Sequence, residues 1–160
     1  MPRTLSAPVT VAFDYTRSTG PVIGRFLTGL RGGHVVGART SDGRVVVPPP
    51  EFDPVTHDAV TDFVDVADTG TVTSWTWVPE PVKGQPLDRP FAFALVTLDG
   101  ADIAFLHLIL DIEAADVRMG MRVKAVWKPR EEWGTTIENI SHFAPTGDPD
   151  ADYETYRQHL

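Results

Sequence analysis

The dipeptide Asp99-Gly100 sits between two apolar runs, residues 91–98 and 101–110, and constrains this chain more than any other feature. Asp-Gly between β-rich segments is the strongest short-range hairpin signal, because a type I′ turn needs positive φ at both central residues. The runs around it are of the same kind. Residues 70–78 are rich in β-branched and aromatic side chains, residues 121–128 follow a short polar turn, and residues 135–143 supply a last strand. Strands this short, joined by tight turns, predict a small antiparallel barrel or sandwich. Alternate strand residues face opposite sides. Phe91, Phe93 and Leu95 therefore oppose Ala92, Ala94, Val96 and Leu98, and Ile103, Phe105, His107 and Ile109 oppose Ala104, Leu106, Leu108 and Leu110. Neither face is polar, whereas a sheet with one solvated side alternates. Both faces therefore need covering, the outer one by the N-terminal segment or by a partner subunit.

The remaining segments arrange themselves around this core. Residues 1–15 mix Pro, Thr and Val and read as an extended arm. Val22, Ile23, Phe26, Leu27 and Leu30 form one apolar helical stripe, with Ser18 or Thr19 as N-cap, Pro21 in the first turn and Gly32-Gly33 as the stop. A helix this short needs that stripe buried, on the barrel or on another chain. Residues 34–40 and 44–47 flank Ser41-Asp42-Gly43 as a second hairpin, which Pro48-Pro49-Pro50 ends because proline donates nothing to a ladder. Residues 59–66 resume a strand-like pattern, residues 79–90 are a proline-rich excursion, and residues 148–160 read as a loosely held tail. The division expected is an arm and helix (1–33), a small hairpin unit (34–58), a barrel (59–145) and a tail (146–160).

The chemistry is sparse. With 160 residues the chain suits one domain with a real core. Its net charge of -8, with 22 acidic against 14 basic residues, argues against nucleic acid as a partner, since no basic patch accompanies it. The absence of cysteine excludes disulfides, thiol nucleophiles and zinc–thiolate sites together. No long apolar run appears, which gives the expectation of a soluble, cytoplasmic protein without membrane insertion. His107 lies on an apolar strand face and reads as a structural, hydrogen-bonded histidine. Asp102 lies an odd number of residues away and so faces the other side of a regular strand. Neither a Gly-x-Ser-x-Gly elbow nor a His-Glu-x-x-His pair is present, and no catalytic residue is assigned. Trp75 and Trp77 share a strand face, with Trp127 on a neighbouring strand; a tryptophan left exposed on the barrel wall would be an interface anchor.

Several of these segments occur in a telling order. Phe26-Leu-Thr-Gly-Leu-Arg31 is followed by Gly43-Arg-Val-Val-Val-Pro-Pro49, then Gly70-Thr-Val-Thr-Ser-Trp75 and the Asp99-Gly100 turn. Asp116-Val-Arg-Met-Gly-Met-Arg-Val-Lys-Ala-Val-Trp127 and Phe143-Ala-Pro145 complete the set. Their order and spacing over residues 19–145 resemble the acyl-CoA-associated OB-fold family, whose members join a rubredoxin-like zinc ribbon to a small barrel. The resemblance implies a mainly β fold, an OB-like barrel preceded by a helix and a ribbon-like hairpin. It also implies a non-catalytic accessory role beside a thiolase-like enzyme of the sterol-carrier type, performing thiolysis or retro-aldol cleavage of acyl-CoA in steroid or lipid side-chain breakdown. No cofactor is then bound directly, and acyl-CoA would belong at an interface shared with the partner. The rival readings are a stand-alone acyl-CoA or lipid-binding module, and a hydratase or thioesterase. The family's ribbon carries Cys-x-x-Cys-Gly and Cys-Pro-x-Cys; here those ligand positions hold Arg39, Asp42, Asp53 and Thr56. Structural zinc takes thiolate and imidazole ligands, so the expected ribbon is metal-free, with Arg39 paired to Asp42 or Asp53 in the metal's stead. Phe26, Trp75 and Trp77 are the expected anchors for the partner.

Overall fold

The computed structural model describes residues 6–16 and 18–159, the last without its side chain. The first five residues of the expected arm lie outside the described residues. The arm's described part, 6–16, carries no regular secondary structure. Helix α1 (Gly20–Gly32) follows, starting at Thr19 with Pro21 in its first turn. It ends where Gly33, at φ 84°, turns its N–H back to the carbonyls of Gly29 and Leu30. That left-handed position suits glycine, which has no Cβ to clash. Val22, Phe26 and Leu30 form the buried line of the expected stripe.

The helix packs on a three-stranded sheet in the order β2-β1-β3, made of β1 (Val35–Arg39), β2 (Val45–Val46) and β3 (Phe63–Val66). β3 pairs with β1 from Val35↔Val66 to Ala38↔Phe63. The expected boundary at 58/59 therefore falls too early: β3 completes the small sheet, and the barrel begins just after it.

The barrel holds β4 (Thr69–Val78), β5 (Phe91–Leu98), β6 (Phe105–Ile109), β7 (Arg122–Trp127) and β8 (Ile140–Pro145). It closes in the order β4-β5-β6-β8-β7. All the pairings are antiparallel except β6 with β8, which run parallel and share one register pair, Ile109↔Phe143. Ala92, Ala94, Val96 and Leu98 point inward with Val72, Ile109, Val123 and Phe143 and are essentially solvent-free. Thr73 forms a bulge in β4 between Val72 and Ser74, and its Oγ1 donates to the Leu95 carbonyl.

The Asp99-Gly100 turn differs from the expected one. Only Gly100 has positive φ, 93°; Asp99 does not, so the turn is not of type I′. Ala101 N–H closes it onto Leu98 C=O at 2.9 Å. The Asp99 carboxylate is engaged elsewhere, accepting from Arg122 Nη1 at 2.8 Å and from the Thr69 hydroxyl. The Arg122 hydrogen bond is the main reason its pKa lies below the usual carboxylate range. Strand β6 also starts later than its apolar run. Asp102 leaves the ladder, and its carboxylate and N–H bond both backbone groups of Val45 at 2.7 and 2.8 Å. That residue ties the barrel to the small sheet.

The tail is docked, a correction to the loose segment expected. Asp150 takes both Nε and Nη2 of Arg118, at 2.6 and 2.7 Å, and Ala151 N–H donates to Gly120 C=O. Tyr153 and Tyr156 share the short helix α2 (Tyr153–Tyr156), their rings edge to face at 5.6 Å.

Candidate functional site: an uncovered apolar wall and a carboxylate-joined pair of turns

The outer wall of β5 and β6 is apolar and only partly covered among the described residues. Register pairs place Phe93 beside Leu108 and Leu95 beside Leu106, all on the outer side. Leu106 is 60% exposed and Leu95 39%. Phe91 lies on the same side but is buried at the strand end, with Phe93 edge-on to it at 5.0 Å. Next to this wall runs a groove of about 590 Å³, lined by Leu87, Phe93, Leu106, Leu108, Ile137 and Ile140. The groove exists because β6 and β8 meet only at Ile109↔Phe143 and diverge before it. Its far rim is the 3₁₀ turn Ile137–Asn139, capped by the Thr136 hydroxyl. Buried Asn139 holds the chain behind this turn through both backbone groups of Gly134, at 3.0 and 2.7 Å. Lys128 on the same rim pairs with Glu138 at 3.6 Å.

The three expected anchors fare differently. Phe26 is 3% exposed and packs inside the chain's own core, which leaves it no surface to offer a partner. The helix stripe is satisfied internally. Trp77 leans on the core at the barrel end, facing inward opposite Ala92. Trp75, one pair further in and 37% exposed, shows the most surface of the three. Both tryptophans share a face, as expected. The bulge at Thr73 sets that face on the barrel's inward side, away from Phe93 and Leu95. Trp127 is tied down, its Nε1 donating to Asp68 and its ring lying 5.1 Å from Trp133.

The four degenerate ligand positions lie at the end of β1 and on two neighbouring turns, and one of them, Asp53, joins these turns. Asp53 Oδ2 accepts from Ser41 N at 2.6 Å, and Oδ1 accepts from the Ser41 hydroxyl at 3.0 Å. From its own turn Asp53 Oδ1 also accepts the N–H groups of Val55 and Thr56, at 2.8 and 3.1 Å. These donors, the Ser41 N–H foremost, hold its pKa down to about 2. Arg39 does not take the expected part. Antiparallel pairing sets Asp62 beside it, and Arg39 leans there at 3.7 Å, while Asp42 bonds Thr40 and Arg44. Thr56 contributes its N–H, and its hydroxyl accepts from Asp58. Among the described residues no three His, Asp or Glu side chains converge as a metal site would require.

His107 sits inside the barrel between Phe105 and Phe143, ring centroids at 5.6 and 5.5 Å. Burial pushes its pKa down to about 4. Its Nδ1 has no hydrogen-bond partner, so the expectation of a hydrogen-bonded histidine fails at that atom. His142 bonds Asp111 at 3.0 Å and Ser141 at 3.1 Å. No helix among the described residues is long and apolar enough to cross a membrane.

A closed five-stranded barrel in this order, with a helix and small sheet ahead of it, is an OB-fold domain. What it presents is an apolar wall, with no catalytic cluster among the described residues. Residues 63–128 match the family model of the ChsH2 C-terminal OB-fold domain. Two solved structures are similar in fold. One is described as the Ltp2–ChsH2(DUF35) aldolase, with TM-score 0.60 and 20% identity, over 81% of this chain and 98% of that one. The other is a DUF35-family protein of unknown function from Sulfolobus solfataricus, with TM-score 0.54 and 22% identity, over 68% and 79%. No curated protein sequence matches the chain.

Proposed function

We propose that this chain is the accessory subunit of a thiolase-like enzyme that cleaves carbon–carbon bonds in acyl-CoA thioesters. The observation that carries this reading is the outer wall of β5 and β6, where Leu95 and Leu106 stand exposed beside Phe93 and Leu108. Contiguous apolar surface on a folded domain marks an interaction site, since leaving it in water forgoes ~25 cal/mol for each Å². The fold relative described as an Ltp2–ChsH2 aldolase pairs a barrel of this kind with a second protein, which supports the same role here. Thiolysis or retro-aldol cleavage, and a steroid or lipid side chain as substrate, are the finer form of this proposal. In it the chemistry belongs to the partner, acyl-CoA enters at the shared interface, and the chain holds no zinc.

The groove favours one rival, a module that itself holds an acyl chain, because its lining is mostly apolar. Co-expression with candidate thiolase-like partners, size exclusion and an acyl-CoA cleavage assay separate the two. Accessory function predicts a stable complex with activity absent from the lone chain. Turnover by the monodisperse lone chain refutes it, and tight acyl-CoA binding by the lone chain without any complex favours the module.

A further inference from the structure

The described part of the N-terminal arm has a pattern that nothing above uses. Val9, Val11, Phe13 and Tyr15 alternate with Thr10, Ala12 and Asp14, so in an extended chain four large apolar side chains share one side. All four stand in solvent, at 83, 81, 77 and 77% exposure, touching little but each other; the Phe13 and Tyr15 rings lie 6.2 Å apart. A one-sided apolar segment of this period is a β-strand in search of a sheet.

We propose that this arm is a strap that closes over the groove between β6 and β8 of its own chain and yields it when the partner docks. Three observations select this occupant. First, the groove is the matching surface: its floor is apolar, and it lies where β6 and β8 have separated. The edge of β6 before Ile109 is therefore open for backbone pairing in the way an added strand uses. Second, the tether is short. Helix α1 packs against the turn Ile137–Asn139, whose Ile137 forms the groove rim. Third, the reach suffices from either end of the helix. Thirteen residues of α1 span about 20 Å, and the chain from Gly20 back to Val11 or Val9 extends to about 30–36 Å, so these two side chains can pass the helix's far end. In the open form described here both apolar surfaces lie in water, and closing the strap buries one against the other. The inference rests on the docking role proposed above for the wall beside this groove, and adds its regulation.

The chain has no cysteine, so engineered pairs report contact without background. Val9→Cys, Val11→Cys and Phe13→Cys are each combined with Leu106→Cys and oxidised mildly; Thr10→Cys and Ala12→Cys serve as controls. The strap predicts a disulfide within one chain at whichever of the three positions lies opposite Leu106, since bridged Cα atoms sit within about 7 Å, and none at the controls. Uniform reaction at all five positions, no reaction at any, or bridges only between chains each overturn it. A second arm deletes residues 1–15 and measures assembly with the partner. An intramolecular competitor weakens apparent affinity by the fraction of molecules left open, so deletion should tighten assembly at least about twofold. Loss of assembly on deletion would make the arm part of the partner interface and overturn the strap. If neither full-length nor shortened chain assembles, the docking role fails, while the disulfide pattern still decides the strap.

Discussion

Replacing Leu106 by aspartate separates a wall that binds a partner from one that merely tolerates solvent. Leu106 is 60% exposed in the free chain, so about six tenths of its side chain remains to be buried. Full burial of a leucine is worth ~1.5–3 kcal/mol, so the complex loses ~1–2 kcal/mol of apolar stabilisation in the variant. The carboxylate must also leave water without a cation opposite it, which costs several kcal/mol more even after relaxation. A net weakening of at least ~3 kcal/mol is about a hundredfold in Kd. In the free chain the same substitution faces solvent and should move stability by no more than ~0.5 kcal/mol. The assay is paired: thermal melting of the lone chain, then titration of the partner followed by size exclusion or calorimetry. Unchanged melting with assembly weakened a hundredfold is the expected result. Wild-type affinity in the variant would refute the wall as the interface. A large fall in Tm would show instead that Leu106 belongs to the core.

The other expectations concern individual residues. Trp75 is 37% exposed but faces away from Phe93 and Leu95, so it tests a contact outside the wall: Trp75→Ala should weaken assembly by ~2 kcal/mol or more, and an unchanged Kd would confine the interface to the wall. Phe26→Ala should instead cost ~3–5 kcal/mol of folding stability, read by denaturant titration, because Phe26 is buried. Asp53 binds its proton less readily in the folded chain than in the unfolded one, so its contribution is complete above pH ~4 and disappears as pH falls towards about 2. Asp53→Asn should therefore lower Tm at neutral pH and flatten the acid dependence of melting across that window; an unaltered acid limb would count against the joined turns. Gly100→Val should cost ~1–3 kcal/mol in a denaturant titration, since a β-branched residue resists a φ of 93°. Elemental analysis of chain purified without chelators should find zinc far below one equivalent; stoichiometric zinc whose removal unfolds the chain would overturn the metal-free reading.

Periodicity made the barrel legible before any coordinates. Strands β4 and β5 are continuous runs of residues that favour a pleated, half-buried surface, and the helix carries its apolar stripe and its Gly32-Gly33 stop in local sequence alone. Local signals failed where a residue's partner is distant in the chain. Asp99-Gly100 reads as a type I′ turn, yet the Asp99 side chain answers to Arg122 and Thr69, more than twenty residues away. Residues 101–104 look like strand, yet Asp102 leaves the ladder to bond Val45. The bulge at Thr73 turned the shared face of Trp75 and Trp77 inward, and no local pattern announces a bulge.

The site divides the same way. Sequence alone determined that two strands are apolar on both faces and that no thiolate can hold zinc, because these are properties of residue type and spacing. It also singled out Asp53, but not its role, which depends on Ser41 meeting it from another turn. Which apolar face stays uncovered was decided only by the tertiary structure. Helix α1 spends its stripe on the core, so Phe26 is hidden. Strands β6 and β8 share a single register pair, so Leu106, Leu108 and Ile137 come to line one groove. Composition cannot foresee that outcome, because burial is settled by how many elements compete for the same apolar surface once the chain has closed.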